Sequence, residues 1–273
     1  MANILAFTPN RNIFTIGNFS VGYYSVIIAC SALLAYFICK RIAKYRDIDG
    51  DFVYLITVFT IPSAIIGARF LHVALNWDDY TLESAVAFWK GWEGLAIYGA
   101  VIFGSACVVV VCMVKKVNPL RMLDIAMPVL LLAQGLGRWG NFFNQELYGA
   151  EVNFDFFPFS VFIQMTGKNH IALFFIEFLL NTIGFFVLLY ILKKYKNPGV
   201  VVASYFIWYG ITRFVLEPMR MPQFHPQGAI NAFSVISGIL ILVGLGFLFY
   251  EFYYKPRYGN KKNASDLPSD TSE

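Results

Sequence analysis

Apolar residues run along the chain in seven long blocks separated by short polar or charged connections. The blocks are Val21 to Cys39, Phe52 to Leu75, Leu95 to Val114, Met122 to Leu136, Ile171 to Leu192, Val200 to Leu216 and Ala229 to Tyr250. Most approach the roughly 20 apolar residues that a helix needs to cross a bilayer, so each is expected to be a spanning helix. The fourth is the shortest and runs into Gly135, Gly137 and Gly140. Its end is expected to be broken or closely packed backbone, which is tolerated at membrane depth only where protein or a water-filled cavity covers it.

Composition turns this pattern into a fold class. Of 273 residues, 58% are hydrophobic, 18% aromatic and 14% charged, against roughly 25% charged in a soluble domain. A water-facing fold is excluded, and seven spans leave no room for a folded ectodomain. The expectation is an all-α integral membrane protein, with residues 1–254 forming one seven-span catalytic domain and residues 255–273 a polar, disordered cytoplasmic tail. The first ten residues hold no basic, apolar and small-residue succession of the kind that marks a cleaved signal peptide, so the first span is expected to act as its own insertion signal. Cys30, Cys39, Cys107 and Cys112 lie in apolar runs without CxxC spacing and read as buried reduced thiols.

The positions of the charges then orient the spans. Lys40, Arg41, Lys44 and Arg46 follow the first span; Lys115, Lys116 and Arg121 the third; Lys193, Lys194 and Lys196 the fifth; Lys255, Arg257, Lys261 and Lys262 the seventh. That is fourteen of the 21 basic residues on alternate connections, which by the positive-inside tendency predicts an external N-terminus and a cytoplasmic C-terminus. The other seven are Arg11, Arg69, Lys90, Arg138, Lys168, Arg213 and Arg220.

Ionisable groups at membrane depth cost on the order of 2.5 to 3.5 kcal/mol or more, so they need a partner or a purpose. Four places stand out. The run Gly137 to Glu146 sets Arg138, Asn141, Asn144, Gln145 and Glu146 among glycines, with Arg138, Asn141 and Asn144 on one helical stripe. The run Tyr209 to Arg220 holds an i,i+4 pair, Arg213 and Glu217, with Tyr209 one turn earlier. Trp92 to Ala100 brings Tyr98 to the start of the third span, where an aromatic-belt role is the bland reading. Gly67-Ala68-Arg69 places Arg69 in the second span without a neighbouring carboxylate. Snorkelling or a purely structural ion pair are the bland readings of the first two.

Guanidinium forks suit phosphate by bidentate hydrogen bonding, and low dielectric strengthens the contact, so an anionic lipid head group is the natural ligand. His72, His170 and His225 form no zinc-site spacing, and neither a Gly-x-Ser-x-Gly elbow nor a phosphate-cradling P-loop is present. No metal, no cofactor and no nucleic-acid partner is expected. A receptor reading finds no Asp-Arg-Tyr-like or Asn-Pro-x-x-Tyr element at the ends of spans three or seven.

The run GRWGNFFNQELYG, Gly137 to Gly149, closely resembles the signature of the prolipoprotein diacylglyceryl transferases. Ile16-Gly17 with Tyr23-Tyr24 resembles the family's N-terminal aromatic element, Gly67-Ala68-Arg69 its Gly-Gly-Arg, Trp92 to Gly104 its third-span segment, and Tyr209 to Arg220 its Tyr-Gly-x-x-Arg-x-x-x-Glu region. Two departures stand out. Tyr98 occupies the place of a His in many members, as in Gram-positive ones. The family's His-Pro-x-x-x-Tyr-Glu is here Asn169 to Glu177, which keeps Glu177, shifts His170 by one residue and lacks the Pro and Tyr.

The resemblance implies a bacterial plasma-membrane enzyme that moves a diacylglyceryl group from phosphatidylglycerol to the lipobox cysteine of preprolipoprotein signal peptides. It implies Arg138 and Arg213 as phosphate binders, Asn141 and Asn144 as their hydrogen-bond partners, and Glu146 and Glu217 as orienting or charge-balancing groups. Tyr98 takes a positioning or proton-relay role, and Tyr24, Arg69, Tyr209 and Arg220 line the substrate. Two alternatives remain open at this point: a relative using another acceptor, and a non-catalytic protein that binds or transports anionic phospholipid.

Overall fold

A computed structural model describes residues 11–16, 19–81, 96–222 and 232–257. Among the described residues, seven helices are long and apolar enough to span a bilayer. They are α1 (Tyr23–Ile42), α2 (Gly50–Leu75), α3 (Ile97–Val114), α4 (Pro119–Asn144), α5 (Leu173–Lys194), α6 (Val200–Leu216) and α7 (Ala232–Phe249). Two short antiparallel hairpins, absent from the sequence reading, precede α1 and α5: β1 (Asn12–Ile16) with β2 (Phe19–Gly22), and β3 (Ser160–Ile163) with β4 (Lys168–Ile171). Trp92, Glu93, Gly94, Leu95, Gly17, Lys90, His225 and the tail beyond Arg257 lie outside the described residues.

The surface is inverted relative to a soluble protein. Leu33, Phe37, Phe70, Phe186 and Leu242 are exposed, whereas Asp124, Asn141, Glu177 and Glu217 are buried. This is what hydrocarbon as solvent selects, since lipid tails cost apolar side chains nothing and polar groups must find partners inside.

The element boundaries follow local chemistry. The fourth span is longer than its apolar block: Asn118 accepts a hydrogen bond from the Leu120 amide at 2.9 Å, and Pro119 supplies a first helical residue that needs no donor. At its other end the helix runs unbroken through Gly135, Gly137 and Gly140 to Asn144, so of the two expected forms, broken or closely packed, it takes the second. A β-carbon on Gly140 would fall inside the ring of Tyr24, and one on Gly135 would press on Asn181. Helix α1 outlasts its apolar run because its last turn carries Lys40 and Arg41, cations that reach for water; α7 continues into a π-turn at Tyr250–Tyr254.

The chain divides into two compact units, residues 36–125 and the remainder. In the first, α2 packs on α3 with backbones in contact at Gly67 and Gly99, where a β-carbon on either would meet the other's carbonyl. Backbone cannot yield as a side chain can. Gly67→Ala is therefore expected to destabilise the protein by about 1–3 kcal/mol, read as a lowered melting temperature in detergent; an unchanged melting temperature would refute this packing. The same unit holds a fully buried ion pair, Arg46 Nε to Asp124 Oδ2 at 3.1 Å. Of the four free cysteines only Cys112 is fully buried, and Cys30 is exposed, contrary to the expectation for all four.

In the larger unit α5 packs on α6 and α6 on α7. The alternating direction of the spans brings the last turns of α4, the first turns of α5 and the last turns of α6 to one end. There residues 145–172 fold back over the helices on a core of Phe142, Tyr148, Val161, Ile163, Ala172 and Phe174, with Trp139 packed against it.

Candidate active site

The site is assembled around a residue that sequence reasoning left without a role. Glu177, one turn into α5, is buried and is approached by three arginines. Arg138 Nε of α4 stands 2.6 Å from Glu177 Oε2, Arg220 Nη2 lies 2.8 Å from Oε1, and Arg213 Nη1 of α6 is 3.9 Å from Oε2. Glu217 closes the group from the other side: its Oε2 is 3.3 Å from Arg213 Nη1, the expected i,i+4 pair, and 3.1 Å from Arg220 Nη1. Three guanidiniums thus meet two carboxylates directly in a largely buried cluster.

A second layer ties this cluster to the α4 terminus. Arg138 Nη1 donates to Asn141 Oδ1 at 3.2 Å; Asn141 Nδ2 and Asn144 Nδ2 both donate to Glu146 Oε1, at 2.9 and 3.1 Å. The polar stripe read from the sequence is therefore one connected network, and Glu146 is one amide removed from the arginines. Gln145 leaves this wall. Its backbone turns left-handed at φ 53°, and its side-chain amide donates to the Phe162 carbonyl and accepts from the Gln164 amide, clamping β3.

On α6, Arg213 Nε donates to Tyr209 Oη at 3.3 Å, with the guanidinium carbon 5.5 Å from the ring centroid. Tyr209 stacks on Tyr205, whose hydroxyl accepts from Gln134 at 3.0 Å. On α1, Tyr24 lies flat on Gly140, beside Tyr23 stacked on Phe143 at 4.4 Å.

Exposure separates the arginines. The side chains of Arg138 and Arg213 keep 16% and 18% of their surface accessible, but Arg220 only 8%. Arg138 and Arg213 can meet a ligand, whereas Arg220 is held inside. Its backbone bridges to Gly149, and Met221 donates to the Tyr148 carbonyl, so the folded-back segment fixes it in place. His170, out of register in the sequence, belongs to that scaffold: it is buried, with Nδ1 at 3.0 Å from the Gly149 carbonyl and Nε2 at 2.9 Å from Thr166 Oγ1.

Arg69 and Tyr98 belong to the other unit. Arg69 has a partner that spacing did not reveal. Its guanidinium stands over the Tyr80 ring at 4.9 Å, and Nη1 reaches the Tyr80 hydroxyl at 3.5 Å. An aromatic face and a phenol oxygen thus engage it, both uncharged. Tyr98 opens α3 and is exposed.

Seven apolar helices and a largely buried cluster of arginines and carboxylates define a membrane-embedded protein with a charged internal site. Residues 11–250 match the family model described as prolipoprotein diacylglyceryl transferase. Among similar proteins is the phosphatidylglycerol--prolipoprotein diacylglyceryl transferase of Streptococcus equi subsp. zooepidemicus, 36% identical over 86% of this chain and 93% of the relative. That of Streptococcus uberis is 37% identical over 85% and 92%; that of Streptococcus pyogenes serotype M5 is 35% identical over 85% and 91%. The chain belongs to the prolipoprotein diacylglyceryl transferase family, and it is a multi-pass membrane transferase.

Proposed function

We propose that this protein transfers the diacylglyceryl group of phosphatidylglycerol to the lipobox cysteine thiol of preprolipoproteins, in the bacterial plasma membrane, with its N-terminus outside and C-terminus in the cytoplasm. The thiol sulfur forms a bond to the glyceryl carbon as that carbon's bond to phosphate oxygen breaks; the thiol proton leaves to a base, and glycerol phosphate departs. The observation that carries this reading is that Arg138 and Arg213, held by Glu177 and Glu217, keep 16% and 18% of their side-chain surface accessible, so that two guanidiniums can face one phosphate. As the C–O bond breaks, the leaving phosphate gains a second charge, and preorganised guanidiniums in low dielectric stabilise that change most.

In this reading Arg138 and Arg213 bind the phosphate, and Arg220 and Glu217 hold them in place. Glu177 orients all three arginines, while Asn141, Asn144 and Glu146 fix the rotamer of Arg138 and border the head group. Tyr209 orients Arg213, and Tyr24 covers the glycine face of α4. Tyr98 and Arg69 are assigned to the substrate by family resemblance, Tyr98 for positioning or proton relay.

Purified protein with phosphatidylglycerol vesicles and a lipobox peptide is expected to yield a peptide heavier by one diacylglyceryl group and one equivalent of glycerol phosphate. A peptide with Ser in place of Cys is expected to yield neither. Lipid binding without either product would refute the enzymatic reading, and transfer to the Ser peptide would refute the thiol as acceptor.

A further inference from the structure

The fourteen basic residues that orient the spans are not all loose surface charges. At the junction of α1 and α2, Lys40, Arg41 and Lys44 line an open groove of about 430 Å³ together with Phe37, Ile48, Asp49 and Gly50. The ledge beneath the cations is rigid. Ile42, Ala43, Arg46 and Ile48 are buried, and the Arg46–Asp124 pair pins the turn Ala43–Arg46 from below. The stem of Lys40 lies across the Cα of Gly50, where a β-carbon would strike its Cε. Among the described residues none of the three cations has a carboxylate within ion-pair distance. Asp49, the one acid in the groove, accepts from the Asp51 amide as the cap of α2. The groove therefore carries a net charge of about two positive units.

We propose that this groove, at the basic end of α1, binds the head group of an anionic phospholipid. Lipid rather than a soluble anion is the occupant because one wall is Phe37, 58% exposed one turn before Lys40 on a spanning helix. A phosphate between the cations would leave an acyl chain running down that apolar face, matching an amphiphile end to end. Each cation near an anionic head group contributes on the order of 1 kcal/mol, so three distinguish anionic from zwitterionic lipid by roughly 100-fold.

Phosphatidylserine is the probe, because it supplies the anionic head group without being the proposed glyceryl donor. Native mass spectrometry of the full chain in detergent is expected to show one phosphatidylserine retained under conditions where phosphatidylcholine is lost. In the K40Q/R41Q/K44Q variant that adduct should weaken by roughly 100-fold. Gly50→Val, which keeps every orienting charge but pushes Lys40 off its seat, should weaken it several-fold. Arg138→Ala should leave it intact, so failure of this inference and failure of the transferase reading are separable. Equal retention of both lipids, or an adduct unaffected in the charge variant and in Gly50→Val, would overturn the proposal. So would displacement by glycerol phosphate at equal concentration, which would make the groove a site for soluble anions.

Discussion

Glu177→Gln is expected to slow diacylglyceryl transfer by about a thousandfold while leaving the spans in place. The amide keeps the shape of the carboxylate but replaces one of its two acceptor oxygens by a donor and removes the charge to which Arg138, Arg213 and Arg220 all turn. Arg213 and Arg220 would then keep Glu217, while Arg138 would lose the carboxylate it faces. Breaking a buried ion pair from one side costs about 3–5 kcal/mol, because the remaining charge is left uncompensated. Most of that is relieved by the arginines swinging apart, and about 4 kcal/mol of lost alignment is a factor of a thousand in rate. Initial rates with phosphatidylglycerol vesicles and lipobox peptide measure it. Glu177→Asp, which keeps the charge on a shorter arm, should recover a substantial part of the loss, chiefly in kcat. A Gln variant as active as the parent would show that the arginines are held without Glu177.

The arrangement explains why the sequence reading named this residue but gave it no role. Glu177 sits in the apolar run Ile171 to Leu192 with no cation within helical reach, and its partners lie 39, 36 and 43 positions away in the chain. Only the packing of α4, α5 and α6 unites them. The pair Arg213 and Glu217 was legible because both members ride one helix face, as was the Arg138, Asn141 and Asn144 stripe. A signal for Glu177 existed nonetheless. A carboxylate in a spanning run cannot stand alone, so an unexplained excess of arginines and an unexplained acid imply each other.

The seven spans were legible because bilayer thickness imposes a length on apolar runs, and six of the seven blocks end within a few residues of their helices. The fourth was underestimated because glycines and polar residues interrupted its apolar run, although the backbone remained helical; the helix is covered by neighbours there, so composition no longer reports solvent. The hairpins were illegible for a different reason. Strands of four or five residues carry too few alternations to register, and β3 with β4 owes its position to Gln145, His170 and the aromatic core beneath it.

Arg138→Ala is expected to abolish transfer, lowering it by at least a thousandfold, and Arg138→Lys is expected to restore less than a tenth of the lost activity. The reasoning rests on how the side chain is used. Arg138 faces Glu177 through Nε and Asn141 through Nη1, so one planar group bridges α5 and the polar end of α4. Removing a preorganised donor to a developing oxyanion costs about 100- to 1000-fold. Here the same truncation also strips a partner from buried Glu177 and releases Asn141, which loosens Glu146 in turn. Lysine preserves the charge but not the fork: a single ammonium cannot face Glu177, Asn141 and a phosphate in one plane. The two variants therefore separate charge from geometry. If Lys were to restore full rate, bulk positive potential would suffice and the geometric assignment would fall. If phosphatidylglycerol binding survived in the Lys variant while kcat collapsed, Arg138 would act on the breaking C–O bond more than on ground-state affinity, as differential stabilisation of a dianionic leaving group requires.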